Sequence, residues 1–217
     1  MDATYFGRSW GMLVGMEAST GRIVYYAYLT GTEKTADYRE ALDTLLGLGY
    51  QIQAVAIDGR RGVRELCVAY GLPVQYCQFH QLLTITECLT KNPKLPANID
   101  LRRIALTITR TTRADFEVAL NAWYVKYGKW LKERDPETKR MIHRRTRRAY
   151  FSLRRNLHYL FTCQDYPNTY IPNTTNKLDG SFGVWKELLK YHRGCNKSLK
   201  TKLLVSFLSG ASDKSSN

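Results

Sequence analysis

Long hydrophobic runs are missing from this sequence of 217 residues. No apolar stretch approaches the ~20 residues that a membrane-spanning helix requires, so the sequence predicts no membrane association. The first ten residues lack the basic and apolar regions of a secretory signal peptide. The five cysteines are irregularly spaced and do not indicate a disulfide framework. Together these absences predict a protein of a reducing compartment.

Several catalytic and metal-binding motifs are absent as well. There is no G-x-x-x-x-G-K-[ST] loop, which disfavours the use of ATP, and no G-x-S-x-G motif, which disfavours a serine hydrolase. Cys77 and His80 form a C-x-x-H pair, but structural zinc needs about four ligands. No second pair has suitable spacing, so structural zinc is disfavoured too.

Acidic residues are scarce in the second half of the chain. Residues 1–100 contain 9 Lys and Arg against 10 Asp and Glu, whereas residues 101–217 contain 24 against 9. A positive excess confined to one half favours a polyanionic partner that this half contacts. Nucleic acid is the leading candidate, because Lys and Arg neutralise phosphates and release counterions. The alternative is a basic protein without such a partner.

The order of predicted elements is β-β-β-α-β-α-β-α, followed by basic helices and a last strong helix. Hairpins first and helical crossovers later predict an α/β fold with a mixed five-stranded sheet, three antiparallel strands and then two parallel ones. The fifth strand is predicted to run to His80, and the predicted breaks are 91–100 and the loop 165–176. The predicted division is 1–90 for the first part of the core, 91–172 for a helical insertion, 173–210 for the region that completes the core, and 211–217 for a disordered tail.

Three acids stand at positions where chemistry is expected. Asp2 lies on the first strand, Asp58 ends the fourth strand, and Asp179 opens the last strong helix. If the first and fourth strands are neighbours, the three carboxylates converge, and such carboxylates repel one another unless a cation lies between them. Their hard oxygen ligands select Mg²⁺ or Mn²⁺. Each acid also has an ordinary interpretation: a solvated charge near the N-terminus, a turn residue and a first-turn helix acid, respectively.

Two faces of the last strong helix differ in character. The apolar face predicts packing on the sheet and consists of Leu178, Phe182, Trp185 and Leu189. The second face consists of Asp179, Gly183, Lys186 and Lys190. The small glycine would let a phosphate backbone approach the acid, and the lysines would neutralise that backbone. The alternative is an ordinary solvated face.

The segment from Lys139 to Arg155 is strongly basic and contains no acid. It is interpreted as a phosphate-binding helix, with Tyr150 and Phe151 available to stack on exposed bases. The arginines predicted to bind DNA are Arg144, Arg145, Arg147, Arg148, Arg154 and Arg155.

The stretches DATYFG, VAIDG, CQFH and TTNKLDGSFGVWKELLKYHRG together resemble the catalytic domain of DDE transposases. The resemblance covers nearly the whole chain and is to the mutator-like group and related bacterial insertion-sequence transposases. It implies a ribonuclease H-like fold with a helical insertion before the third acid. It also implies hydrolysis at the ends of a DNA element, followed by strand transfer into target DNA. The implied protein is bacterial and cytoplasmic, associates with the nucleoid through DNA, and acts as a homodimer or higher oligomer.

The resemblance also assigns roles to individual residues. Asp2, Asp58 and Asp179 would hold two Mg²⁺ or Mn²⁺ ions. Cys77 and His80 would be a signature close to the active site, and Asn176 would bind or position DNA. The alternative for the CQFH stretch is core packing, with Cys77 as a small buried group.

The sequence departs from the family in two respects. The third acid is usually Glu in the family but is Asp179 here, which is one methylene shorter and puts efficiency in question. The first acid follows directly after Met1, whereas the strand and a DNA-binding region are expected upstream, so a fragment is expected. Two alternatives remain: a ribonuclease H-like nuclease without strand transfer, and a catalytically impaired DNA-binding remnant.

Overall fold

The structure is a computed structural model that describes residues 1–7 and 10–213, with side chains up to residue 208. Arg8, predicted in a turn, and residues 214–217 of the predicted tail lie outside the described residues. Residues 211–213 belong to the last helix. Within the described part of the chain, no helix has the length and apolar content needed to cross a membrane.

Strands dominate the first part of the chain and helices the second. The strands are β1 (Asp2–Tyr5), β2 (Gly11–Met16), β3 (Ile23–Leu29), β4 (Val55–Ile57) and β5 (Val74–Tyr76). The helices among and directly after them are α1 (Thr35–Gly47), α2 (Arg61–Ala69) and α3 (Gln78–Leu89). The remaining helices are α4 (Pro96–Leu106), α5 (Arg113–Leu131), α6 (Arg144–Leu160), α7 (Thr162–Asp165), α8 (Asn176–Tyr191) and α9 (Lys197–Asp213).

The strands form two sheets. One contains β1, β2 and β3 with antiparallel neighbours and β2 in the centre, and the other pairs β4 with β5 in parallel. The predicted α/β class and strand directions are therefore confirmed, but the strands are divided between two sheets. The amino nitrogen of Met1, directly before β1, donates a hydrogen bond to the carbonyl oxygen of Ala56 in β4 at 2.8 Å.

The central strand β2 separates two hydrophobic layers, because successive side chains of a strand point to opposite faces. Leu13 belongs to a cluster that includes Tyr38 and Leu42 of α1. Met12 and Val14 belong to a second cluster with the apolar face of α8. That face is the predicted one, and all four of its residues are buried: Leu178, Phe182, Trp185 and Leu189. The prediction that α8 packs on the sheet is confirmed.

The basic helices are packed into the same core as the sheet. The larger hydrophobic cluster includes residues from β2, β3, β4 and β5 and from helices α1 to α6. Helix α6 is fixed to β5 and α3 by hydrogen bonds to the carbonyl oxygen of Leu160, from Nε2 of Gln75 at 2.9 Å and of Gln78 at 2.8 Å. The position of α6 relative to the sheet is therefore set by buried polar contacts as well as by packing.

Predicted and observed elements differ at the end of β5, at the start of α4 and at the C-terminal helix. Strand β5 ends at Tyr76, and the amide of Gln81 already donates to the carbonyl oxygen of Cys77 at 3.1 Å, which starts α3. His80 thus lies in the first turn of a helix and not at a strand end. Helix α4 begins at Pro96, inside the predicted break, since proline suits the first position of a helix. Helix α9 was not predicted.

Candidate active site

A cavity of about 420 Å³ lies between β1, the end of β4, the start of α3 and the start of α8. It brings together residues that are far apart in the sequence. The polar side chains that line it include Asp2, Thr4, Glu33, Asp58, His80 and Asp179. The three acids predicted from the sequence therefore share one cavity.

Asp2 reaches the cavity through the register of β1. Asp2 pairs with Val14, and Thr4 pairs with Met12, so both polar residues lie on the face of the sheet that α8 covers. Oδ1 of Asp2 accepts a hydrogen bond from the amide of Ala3 at 2.8 Å. Burial raises the pKa of Asp2 to about 6, with further contributions in the same direction from Asp58 and Asp179.

Asp58 follows the last residue of β4 and begins a tight turn. Gly59 has a φ of 96°, a conformation in which any other residue would be strained. The amide of Arg60 donates to Oδ1 of Asp58 at 3.2 Å. The turn thus fixes a half-buried carboxylate at the carboxyl end of a parallel strand, and it faces the cavity there.

Asp179 lies in the first turn of α8, close to Asp2 and His80. One potential ligand atom from each of Asp2, His80 and Asp179 lies within 4.8 Å of the other two. Thr175, directly before α8, donates from Oγ1 to Oδ2 of Asp179 at 3.0 Å. This hydrogen bond fixes the orientation of the carboxylate relative to the cavity.

The C-x-x-H pair, Cys77 and His80, also contacts Thr175. The amide and the hydroxyl of Thr175 both lie 3.3 Å from Sγ of Cys77, and Oγ1 of Thr175 lies 3.5 Å from Nδ1 of His80. The hydrogen bond between His80 and Cys77 raises the pKa of His80 to about 9. Burial by itself raises the pKa of Cys77, but the contacts with His80 and Thr175 outweigh it and lower that pKa overall. Cys77 is buried, so the packing interpretation of this residue holds alongside its position beside the cavity.

Three residues of the site were not predicted from the sequence: Thr4, Glu33 and Thr175. Glu33 pairs with Arg60 through Oε1, while its Oε2 is buried and has no hydrogen-bond partner in the described part of the chain. The same holds for Oγ1 of Thr4. The only sequence signal was the position of Thr175 as a threonine just before a helix, which is typical of a cap.

Of the residues predicted on the DNA-facing side of α8, Gly183 and Lys186 line the cavity. A Cβ built on Gly183 would meet nothing within 4 Å, so this side of the cavity is open. Lys190 and Asn176 do not line the cavity: Lys190 pairs with Glu187, and Asn176 is exposed at the first position of the helix. The predicted DNA-facing side of α8 is therefore centred on Gly183 and Lys186.

Helix α6 presents an arginine-rich surface. Five of its six predicted arginines are exposed, Arg147 being half-buried against the ring of Phe151. Arg154 pairs with Glu117, whereas Arg144 and Arg148 make no ion pair with any described residue. The prediction that Tyr150 stacks on bases is wrong, because its ring is 4% exposed and stacks on Trp123 and Tyr124 in the core.

A second cavity, of about 600 Å³, lies between the end of β2 and the segment before β4. None of the three predicted acids lines it, so the acidic cavity is the better candidate for catalysis.

Comparison of the chain with protein-family models, with curated proteins and with solved structures finds no match. A functional proposal therefore depends on the acidic cavity and on the charge of α6.

Proposed function

We propose that this chain is a metal-dependent catalytic domain of the DDE transposase type, which cuts and joins DNA by phosphoryl transfer. The observation that carries the proposal is the shared cavity of Asp2, Asp58 and Asp179. These acids come from β1, the end of β4 and the start of α8, and they are the three that the transposase resemblance selects.

The donor set fits divalent cations. Three carboxylates around one cavity repel one another in the absence of a cation, and oxygen ligands suit Mg²⁺ or Mn²⁺. The buried oxygens of Thr4 and Glu33 that lack partners among the described residues add acceptors for water around such ions. Two ions bound there would activate the attacking hydroxyl and stabilise the leaving oxygen. Asp2, Asp58 and Asp179 would hold them, and Lys186 would orient the DNA phosphate.

The proposal includes a ribonuclease H-like arrangement of the strands. In it, β1 and β4 are neighbours, and the five strands follow the order β3-β2-β1-β4-β5. Support comes from the hydrogen bond between Met1, directly before β1, and Ala56 of β4. Support also comes from Asp2 and Asp58, which line the same cavity although they belong to β1 and to the end of β4.

DNA is the proposed substrate because of the charge distribution. The chain has a formal net charge of +14, and α6 contributes an arginine-rich face without an acid. Arginines at such a face neutralise phosphates without reading sequence. This surface would hold the duplex while the acidic cavity acts on one of its strands.

A cleavage assay tests the proposal. Supercoiled plasmid and a pool of random duplex oligonucleotides are incubated with the protein and with Mg²⁺ or Mn²⁺. We expect nicking by the wild type, and loss of nicking in Asp58→Ala and Asp179→Ala. Asp43→Ala is the matched control, since Asp43 is an exposed acid of α1.

The products distinguish the alternatives. Joining of a 3′-hydroxyl oligonucleotide to the plasmid identifies a transposase, whereas nicking without joining identifies a nuclease. DNA binding without metal-dependent nicking identifies a binding remnant. Equal nicking by Asp58→Ala and the wild type contradicts the proposed site.

A further inference from the structure

We propose that His80 is a direct ligand, together with Asp2 and Asp179, of a divalent transition metal, and that this position therefore selects Mn²⁺ over Mg²⁺. The inference rests on the proposed function in that it places one of the ions of the acidic cavity. It adds a nitrogen ligand to a set of carboxylates, and binding of the ion displaces the proton that Cys77 stabilises on the ring of His80.

The geometry of the three side chains suits one ion. Ligand atoms at bonding distance from a single metal ion lie roughly 3–4 Å from one another. The three candidate atoms of Asp2, His80 and Asp179 already lie within 4.8 Å of one another. They come from three different elements, so the surrounding fold and not local sequence brings them together.

The orientation of the imidazole favours coordination through Nε2. Nδ1 of the ring lies 3.5 Å from Oγ1 of Thr175, and the ring also interacts with the side chain of Cys77. Metal-binding histidines are usually held in this way, with the other ring nitrogen fixed by a hydrogen bond. Thr175 also donates to Asp179, so a single residue orients two of the three ligands.

A second observation points to a bound cation. Oγ1 of Thr4 and Oε2 of Glu33 line the same cavity and have no hydrogen-bond partner among the described residues. Thr4 is 3% exposed and Glu33 is 8% exposed. Leaving a buried polar atom without a partner costs about 1–3 kcal/mol. Asp2 and Asp179 would hold a hydrated divalent cation, and its water molecules would serve as donors to both oxygens.

The ligand types decide which metal is preferred. Mg²⁺ is bound through oxygen ligands and gains little from imidazole, whereas transition metals bind imidazole well. Replacing one carboxylate by His80 therefore shifts the preference from Mg²⁺ towards Mn²⁺. Asp58 stays available for the second ion, with oxygen ligands only.

The test is spectroscopic and does not require activity. Mn²⁺ is added to the purified protein, and electron spin echo modulation detects ¹⁴N coupling from a coordinated imidazole. We expect this signal in the wild type and in His192→Ala, and its loss in His80→Ala and His80→Asn. Calorimetry should show a loss of Mn²⁺ affinity in both His80 variants that exceeds the ~10–100-fold typical of residues that only orient a ligand, with a smaller change for Mg²⁺.

The outcomes separate the inference from the proposed function. A nitrogen signal that persists in a folded His80 variant overturns the inference. A wild-type protein that binds Mn²⁺ without a nitrogen signal, or that does not bind Mn²⁺, overturns it too. DNA cleavage in those cases leaves the proposed function standing. A His80-dependent signal in a protein that does not cleave DNA supports the inference and contradicts the proposed function. Circular dichroism checks that each variant is folded. If His80→Ala does not fold, His80→Asn alone provides the test.

Discussion

The hydroxyl oxygen of Thr175 lies 3.0 Å from Oδ2 of Asp179. The same oxygen lies 3.3 Å from the sulfur of Cys77, which is 98 positions away in the chain. One threonine therefore connects the C-x-x-H pair at the start of α3 with the acid at the start of α8. Its contacts explain how two distant stretches of sequence hold a fixed geometry at the cavity.

Removing this hydroxyl should impair the site without unfolding the chain. Thr175→Val keeps the shape of the side chain but loses the bonds to Asp179 and Cys77. We expect a loss of about 10–100-fold in metal affinity, as is typical for residues that orient ligands. Mn²⁺ titration by calorimetry measures it. Thr175→Ser should restore binding, and Thr174→Val is the control; equal effects of Thr174→Val and Thr175→Val would contradict the role of the hydroxyl.

Asp2 should destabilise the metal-free protein at neutral pH. Its pKa is raised to about 6 by burial, whereas an unfolded Asp ionises near 3.9. The unfolded chain thus loses its proton first, and stability falls as the pH rises from about 4 to about 6. Asp2→Asn removes this penalty and should raise the free energy of unfolding at pH 7 by up to about 3 kcal/mol.

Urea unfolding in the presence of a chelator measures this effect. The difference between Asp2→Asn and the wild type should shrink at pH 4, where the folded wild-type carboxyl is neutral. Asp43→Asn, at an exposed position of α1, should behave as the wild type at both pH values. A difference that does not depend on pH would show that burial of the Asp2 charge is not its cause.

Arg144 and Arg148, two arginines of α6 that make no ion pair with a described residue, should contribute to DNA binding through charge alone. In Arg144→Ala/Arg148→Ala, binding should weaken for every duplex sequence, and the slope of log K against log salt should fall in magnitude by about 2. Fluorescence anisotropy at several salt concentrations measures the slope. The control is Arg22→Ala/Arg61→Ala, which removes the same charge from arginines paired with Glu17 and Glu65. A slope that is unchanged in the α6 variant would place the DNA elsewhere.

Tyr150 should act as a core residue. Its ring stacks on Trp123 and Tyr124 with centroid distances of 5.1 and 4.9 Å. Tyr150→Ala should lower the free energy of unfolding by about 3–5 kcal/mol, as do other large aromatic truncations in cores. Tyr150→Phe keeps the packing and should cost less than ~1 kcal/mol. Urea unfolding checks both; weaker DNA binding at unchanged stability would instead favour base stacking.

Periodicity and element ends made part of this arrangement predictable. The apolar stripe of α8 was visible in the sequence because four residues recur at helical spacing, and burial confirms it. Asp58 was visible because an acid after an apolar strand lies at a sheet edge. The position of Asp179 followed from the start of the same amphipathic helix.

Other features depend on tertiary contacts that sequence patterns do not encode. Cys77 begins α3 without a side-chain cap, so aromatic and β-forming neighbours suggested that the strand continued to His80. Glu33 lies in a loop, and its contacts with Arg60 and with the hydroxyl of Tyr5, together with its burial, bring it to the cavity. Tyr150 was assigned to the surface because it stands among arginines, whereas helix geometry places it on the opposite face.

The division of the hydrophobic residues into two clusters affects how the cavity can come apart. Asp179 is attached to α8, whose buried residues belong to the smaller cluster, while α1 to α6 share the larger one. A local opening of α8 and α9 would carry one carboxylate away and leave the strands with Asp2 and Asp58 folded. Hydrogen–deuterium exchange should then be faster in α8 than in α5. On heating, such a molecule loses its chemistry before it loses its fold.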